Sequence, residues 1–76
     1  MLTFELADNG ERLEVHGDRE GLRRLAEILT SLADEKRPDH AHLMTEDWGG
    51  SGLSNDIQGL NNTLLHHVKV FVWPKT

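Results

Sequence analysis

The stretch Leu2–Val15 reads LTFELADNGERLEV, and its alternation decides the fold. Leu2, Phe4 and Leu6 alternate with Thr3, Glu5 and Ala7; Asp8-Asn9-Gly10-Glu11 interrupts; Leu13 and Val15 then resume against Arg12, Glu14 and His16. A period of two marks strands with one face buried. Asn-Gly is the strongest short hairpin signal, because both central residues of a type I′ turn take positive φ. The first seventeen residues are therefore a β-hairpin.

Outward from the hairpin the period changes. Gly17 stops the strand, Asp18 is a good N-cap, and Glu20 sits where the helix dipole favours an acid. Leu22, Leu25, Ala26, Leu29, Leu32 and Ala33 recur at helical spacing, with Ile28 widening the stripe. Pro38 disfavours helix at Arg37, so the helix is predicted to end near Glu35. Asp39 to Thr45 alternates again, with Ala41, Leu43 and Thr45 on one side and His40, His42 and Met44 on the other. A long connection from Glu46 to Asn62 opens on Trp48-Gly49-Gly50-Ser51-Gly52 and carries Leu53, Ile57 and Leu60 as its aliphatic anchors. Leu64 to Trp73 is rich in β-branched and aromatic residues, and Pro74 ends it.

The order is β-β-α-β-β over a single domain, residues 1–76. The one apolar helix stripe must cover one face of a shared sheet, which makes the class α+β: a four-stranded, mainly antiparallel sheet with one helix on it. Strand orders 2-1-3-4 and 1-2-4-3 both give a fully antiparallel sheet. The covered face takes Leu2, Phe4, Leu6, Leu13, Val15, Leu43, Val68, Val70 and Val72. The period of two then sends Glu5, Arg12, Glu14, His16, His40, His42, Met44, His67, Lys69, Phe71 and Trp73 to the other face. A solvated sheet face seldom shows Phe71 and Trp73 together, and aromatic and Met side chains are enriched at interfaces. Two accounts stand side by side: the two rings pack under the Trp48–Asn62 loop, or they bind a partner.

Composition narrows the classes of function. Eight basic residues against thirteen acidic give a net charge of −5, and the chain has no cysteine. The basic residues are scattered, with no stripe to displace counterions, so nucleic-acid binding is not expected. A negative surface favours a basic protein partner, or is simply the charge of a soluble small protein. No run of eighteen apolar residues exists, so no membrane span is expected, and the N-terminus lacks the basic and apolar regions of a secretory signal. Disulfides and thiolate chemistry are excluded.

Histidine raises a metal reading. His40 and His42 share one strand face, His67 could complete a three-His set, and Glu5, Glu14 or Glu46 could add a carboxylate. His66 and His67, being adjacent, point to opposite faces. Without an H-E-x-x-H or any cysteine the spacing is unspecific, and no metal or cofactor is expected. Gly50-Ser51-Gly52 is too short for a nucleophile elbow, there is no phosphate-binding loop, and the body offers little concavity, so the chain is not read as an enzyme.

The segment Asp39–Gly50, DHAHLMTEDWGG, resembles immunity protein family 32 of bacterial polymorphic toxin systems, in which an H-x-H-L-M-T run leads into W-G-G. The resemblance extends upstream to Gly21–Leu29 and downstream to His66–Val70. It implies a small cytoplasmic α+β protein that binds and neutralises a cognate toxin, with no catalysis. It carries over His40, His42, Leu43, Met44, Thr45, Trp48, Gly49 and Gly50. Joined to the face reading, it makes His40, His42, Met44, Trp48, Phe71 and Trp73 the candidate partner-binding residues. The alternatives are a small His-rich metal- or ligand-binding module and a structural homodimer built through the last strand.

Overall fold

The computed structural model describes residues 1–75. The hairpin is β1 (Leu2–Ala7) and β2 (Arg12–Gly17), antiparallel with Phe4 opposite Val15 and Leu6 opposite Leu13. Its turn has Asn9 at φ 56°, ψ 34° and Gly10 at φ 85°, and the Glu11 amide donates to the Asp8 carbonyl at 3.1 Å. Those are type I′ angles. Asp8 also lies at positive φ, so the ladder closes one residue earlier, at Ala7 and Arg12.

Helix α1 (Arg19–Ala33) starts where the sequence places it: the Asp18 carboxylate accepts the Gly21 amide at 2.7 Å and pairs with the N-terminal ammonium at 2.8 Å. It stops two residues earlier than predicted, with Asp34 as C-cap. Next come β3 (Asp39–Met44), a short 3-10 turn at Glu46–Trp48, β4 (Thr63–Leu64) and β5 (His67–Val72).

The expected last strand is thus two pieces, and the strand order is neither of those anticipated. β4 pairs with β1 in a three-stranded sheet, β2-β1-β4, and β5 pairs with β3 in a two-stranded ribbon. The C-terminal strand segment therefore lies between β1 and β3. Leu53 and Ser54 form a wedge where the two sheets part: the Leu53 amide donates to the Met44 carbonyl (3.1 Å) and the Ser54 amide to the Leu2 carbonyl (2.8 Å). The result is long, 42 × 25 × 23 Å, with a radius of gyration of 13.2 Å against about 11 Å for a compact chain of this length.

The core is Leu2, Phe4, Leu43 and Leu53, with Leu25, Ile28, Leu65, Val68 and Val70 packed on it. Leu53, read as a loop anchor, is among the most buried side chains. The predicted helix stripe splits in two. Leu25, Ile28 and Leu32 face the sheets, whereas Leu22, Ala26, Leu29 and Ala33 are exposed. At 100° per residue the second set lies about a quarter turn from the first, and one helix cannot bury both. Leu13 and Val15, assigned to the covered face, are likewise exposed, Leu13 at 55%. α1 crosses from the end of β2 toward β3 and β5 and leaves the start of β2 bare.

Candidate partner-binding face

The Thr45 amide donates to the His66 carbonyl at 3.0 Å, which fixes the parity of the β3–β5 ladder. Leu43/Val68 and Ala41/Val70 are hydrogen-bonded pairs facing α1; His40/Phe71, His42/Lys69 and Met44/His67 are the other kind. Non-hydrogen-bonded pairs bring side chains closest together, so the outer face of the ribbon crowds its rings.

That crowding produces one unbroken run of rings. Trp73 stacks on Phe71 (6.0 Å between centroids, 9° between planes), Phe71 meets His40 at 5.4 Å, and His40 meets His42 edge-on at 4.6 Å. His42 stacks on His67 at 5.1 Å, His67 reaches Trp48 at 6.5 Å, and Trp48 lies flat on His66 at 5.7 Å and 5°. Lys69 adds its ammonium over Phe71 at 5.1 Å, a cation–π contact. Trp48 is 59% and Trp73 67% exposed. Five of the six proposed residues thus join one continuous surface, and Met44, half-buried, sits across from His67 within it.

The W-G-G motif has a mechanical reading. Gly49 caps the 3-10 turn at φ 85°, a left-handed conformation that glycine adopts without strain. The Gly50 amide returns to the Thr45 carbonyl at 2.9 Å, and a β-carbon at Gly50 would lie 2.5 Å from the Met44 carbonyl oxygen. Thr45 is fully buried and its hydroxyl lies 2.7 Å from His66 Nδ1. The two glycines and Thr45 therefore hold both members of the Trp48–His66 stack. Half-buried His66 lies opposite the buried Thr45 and exposed His67 opposite Met44, so the two side chains leave the strand on opposite sides, as expected, and Trp48 reaches both rings. The chain bends at His66, between β4 and β5.

The histidines form a relay rather than a chelate. His40 Nε2 lies 2.9 Å from His42 Nε2, and His42 Nδ1 lies 2.8 Å from His67 Nε2. A metal needs lone pairs converging on one point, whereas the two nitrogens of His42 serve different neighbours. Glu5 and Glu14 lie on the other sheet, and no group of three or more metal-ligating side chains converges among the described residues. Desolvation, and then the charges of His40, Lys69 and His67, push the His42 pKa below its ordinary 6.5.

The loop does not fold over Phe71 and Trp73. It lies instead over β1 and β2, held by Glu5, which is 0% exposed. One Glu5 oxygen accepts the Thr3 hydroxyl (2.5 Å) and the Gln58 amide (2.9 Å); the other accepts the Gly59 amide and Asn62 Nδ2, both at 2.9 Å. Burial alone would raise the Glu5 pKa, but the bonds from Thr3, Asn62, Gln58 and Gly59 outweigh it and hold the value down to about 2. Asn62 also donates to Glu14 at 3.0 Å. Glu14 is held at about 2 by His16, Asn62 and Arg12. Glu5, placed by its period on the open face, is therefore a loop anchor.

A polar cleft of about 460 Å³ opens between the start of α1 and residues 51–56, lined by Glu20, Arg24, Glu46 and Asp56 among others. It contains none of the six proposed residues. No helix among the described residues is long and apolar enough to cross a membrane.

A family model described as Immunity protein 32 matches residues 12–68, three quarters of the chain. The match takes in His40, His42, Met44 and Trp48 and stops short of Phe71 and Trp73. No curated protein matches, and no solved structure does.

Proposed function

The chain belongs to the Immunity protein 32 family, and from that premise we propose that it binds a cognate bacterial toxin in the cytoplasm and neutralises it through the outer face of the β3–β5 ribbon. The observation that carries this reading is the unbroken run of exposed rings from Trp73 to Trp48. Stacked, mutually supported aromatics lose little conformational freedom on binding, which is why such residues anchor interfaces. The face acts by covering the toxin, with no chemistry of its own.

Glu46 and Asp47 immediately precede Trp48 and are exposed. With Glu5 buried, Glu14 engaged by His16, Asn62 and Arg12, and Glu46 lining the cleft at the start of α1, Asp47 is the acid left next to Trp48 to steer a basic partner. The test is a binding titration of the toxin encoded beside this chain against Trp48→Ala, Trp73→Ala and a helix-face control, Arg23→Ala, each first shown to be folded. Truncating a central aromatic costs about 2 kcal/mol or more, about thirtyfold in Kd. Folded Trp variants that bind like the wild type, with a control that fails, would move the site to the helix side.

A further inference from the structure

The face bearing α1 also carries an open edge. β2 is an edge strand, and the Asp18 amide donates to the Met1 carbonyl at 3.2 Å. In the β1–β2 register this makes the even-numbered residues of β2 the ones bonded to β1. The N–H and C=O groups of Leu13, Val15 and Gly17 therefore point outward. β1 agrees independently: Leu2 and Phe4 turn their carbonyls to its other side, toward Ser54 and Leu65. Beside this bare edge stand the exposed side chains of Leu13, Val15 and Leu22. A monomer rarely leaves apolar side chains grouped along an unpaired strand.

We propose that β2 pairs antiparallel with β2 of a second copy about a two-fold axis through Val15. A two-fold axis perpendicular to the sheet keeps side-chain faces aligned, so the surface must complement itself. With Val15 on Val15, Leu13 falls opposite Gly17 of the second copy, and Gly17 opposite Leu13. Gly17 has no side chain, and Leu22 leans over it, within 3.0 Å of where a β-carbon would be. Leu13 from one copy thus lands on Leu22 of the other, twice. On the opposite face Glu14 of each copy meets His16 of the other, and no two carboxylates face one another. Sliding by two residues toward the turn would set Glu14 on Glu14, and like charges disfavour that register. All outward backbone groups of Leu13, Val15 and Gly17 are paired in the favoured one. The dimer leaves the ring face free, because the rings lie on the other sheet and on the side away from α1.

Sedimentation over a concentration series is expected to move from one chain to two, twice the 8.6 kDa of a single chain. Val15→Lys places two like charges on the axis and is expected to abolish the heavier species. The chain contains no cysteine, so Val15→Cys reports the axis directly. Its Cα atoms would be about 5.5 Å apart, within disulfide range, whereas two Leu13→Cys sites would be about 14 Å apart. Oxidation is expected to join Val15→Cys chains and to spare Leu13→Cys. A chain that stays monomeric up to its solubility limit, a dimer that survives Val15→Lys, or equal crosslinking of the two cysteine variants overturns the proposal. If Val15→Lys does not fold, the cysteine pair decides alone.

Discussion

Replacing Glu5 by Gln removes one negative charge while keeping the shape of the side chain. Four donors converge on the two Glu5 oxygens: Thr3 and Gln58 on one, Gly59 and Asn62 on the other. An amide offers one acceptor and one donor, so two of these donors must meet an N–H. The better orientation puts the new NH2 toward Thr3, whose hydroxyl can turn and accept. The Gln58 amide then faces an N–H on the fully buried Glu5 side of a part-buried contact, at about 1–3 kcal/mol, and the bonds from Gly59 and Asn62 lose roughly 1 kcal/mol each with the charge. The sum is about 3–5 kcal/mol, a large share of the ~5 kcal/mol at the low end for natural domains. Urea denaturation of both chains at pH 7 measures it. The pH dependence is a second reading of the same contact. A carboxyl whose folded pKa falls from 4.5 to about 2 gives stability that is complete above pH 4.5 and lost as pH falls toward 2. The gap between wild type and Glu5→Gln is therefore expected to narrow over that window. Glu14 titrates there too, but in both chains, and largely drops out of the difference. A gap at pH 7 below about 0.5 kcal/mol, inside the usual scatter of surface substitutions, or one that stays constant down to pH 2, would refute the anchoring role of Glu5.

Two further outcomes follow from packing. Leu32→Ala, at a side chain only 8% exposed, should cost about 2–5 kcal/mol, whereas Leu29→Ala, 41% exposed, should cost less than about 1 kcal/mol in the monomer; equal losses in denaturation midpoint would show that α1 is rotated from its described seating. Gly50→Ala forces a β-carbon against the Met44 carbonyl and should cost about 1–3 kcal/mol. It should also shift the Trp48 indole resonance while leaving that of Trp73 in place, and an unmoved Trp48 would count against the W-G-G reading.

The hairpin and the helix were legible because each is specified locally, by Asn9-Gly10 and by Asp18 with the apolar spacing behind it. The ring face was legible for a related reason: β3 and β5 keep a strict period of two, so His40, His42, Phe71 and Trp73 could be placed together before their pairing was known. What failed was long-range. The apolar pair Leu64-Leu65 breaks the alternation and marks the kink that brings His66 under Trp48, yet a buried strand also shows consecutive apolar residues. The anchoring of Glu5 leaves a trace in the hairpin register. That residue sits directly across from Glu14, and two like charges in that position need a shared partner. Asn62, far along the chain, supplies it with one amide group bonded to both. The exposure of Leu13, Val15, Leu22 and Leu29 was illegible for another reason: periodicity reports which residues share a face, and says nothing of how wide a helix must be to cover it.

The pairing of β1 with β4 sets a schedule for folding. Phe4 and Leu65 meet across a backbone hydrogen bond, and some sixty residues of chain must be made between them. At about 5–20 residues per second that interval is roughly 3–12 s. Throughout it the hairpin stands with an unpaired inner edge, and β3 waits for β5. Contacts of such sequence separation are the slow ones to form. Until β5 has been made, the chain therefore presents Trp48 without His66 beneath it and His40 without Phe71. The ring surface is thus among the last features of the fold to be completed.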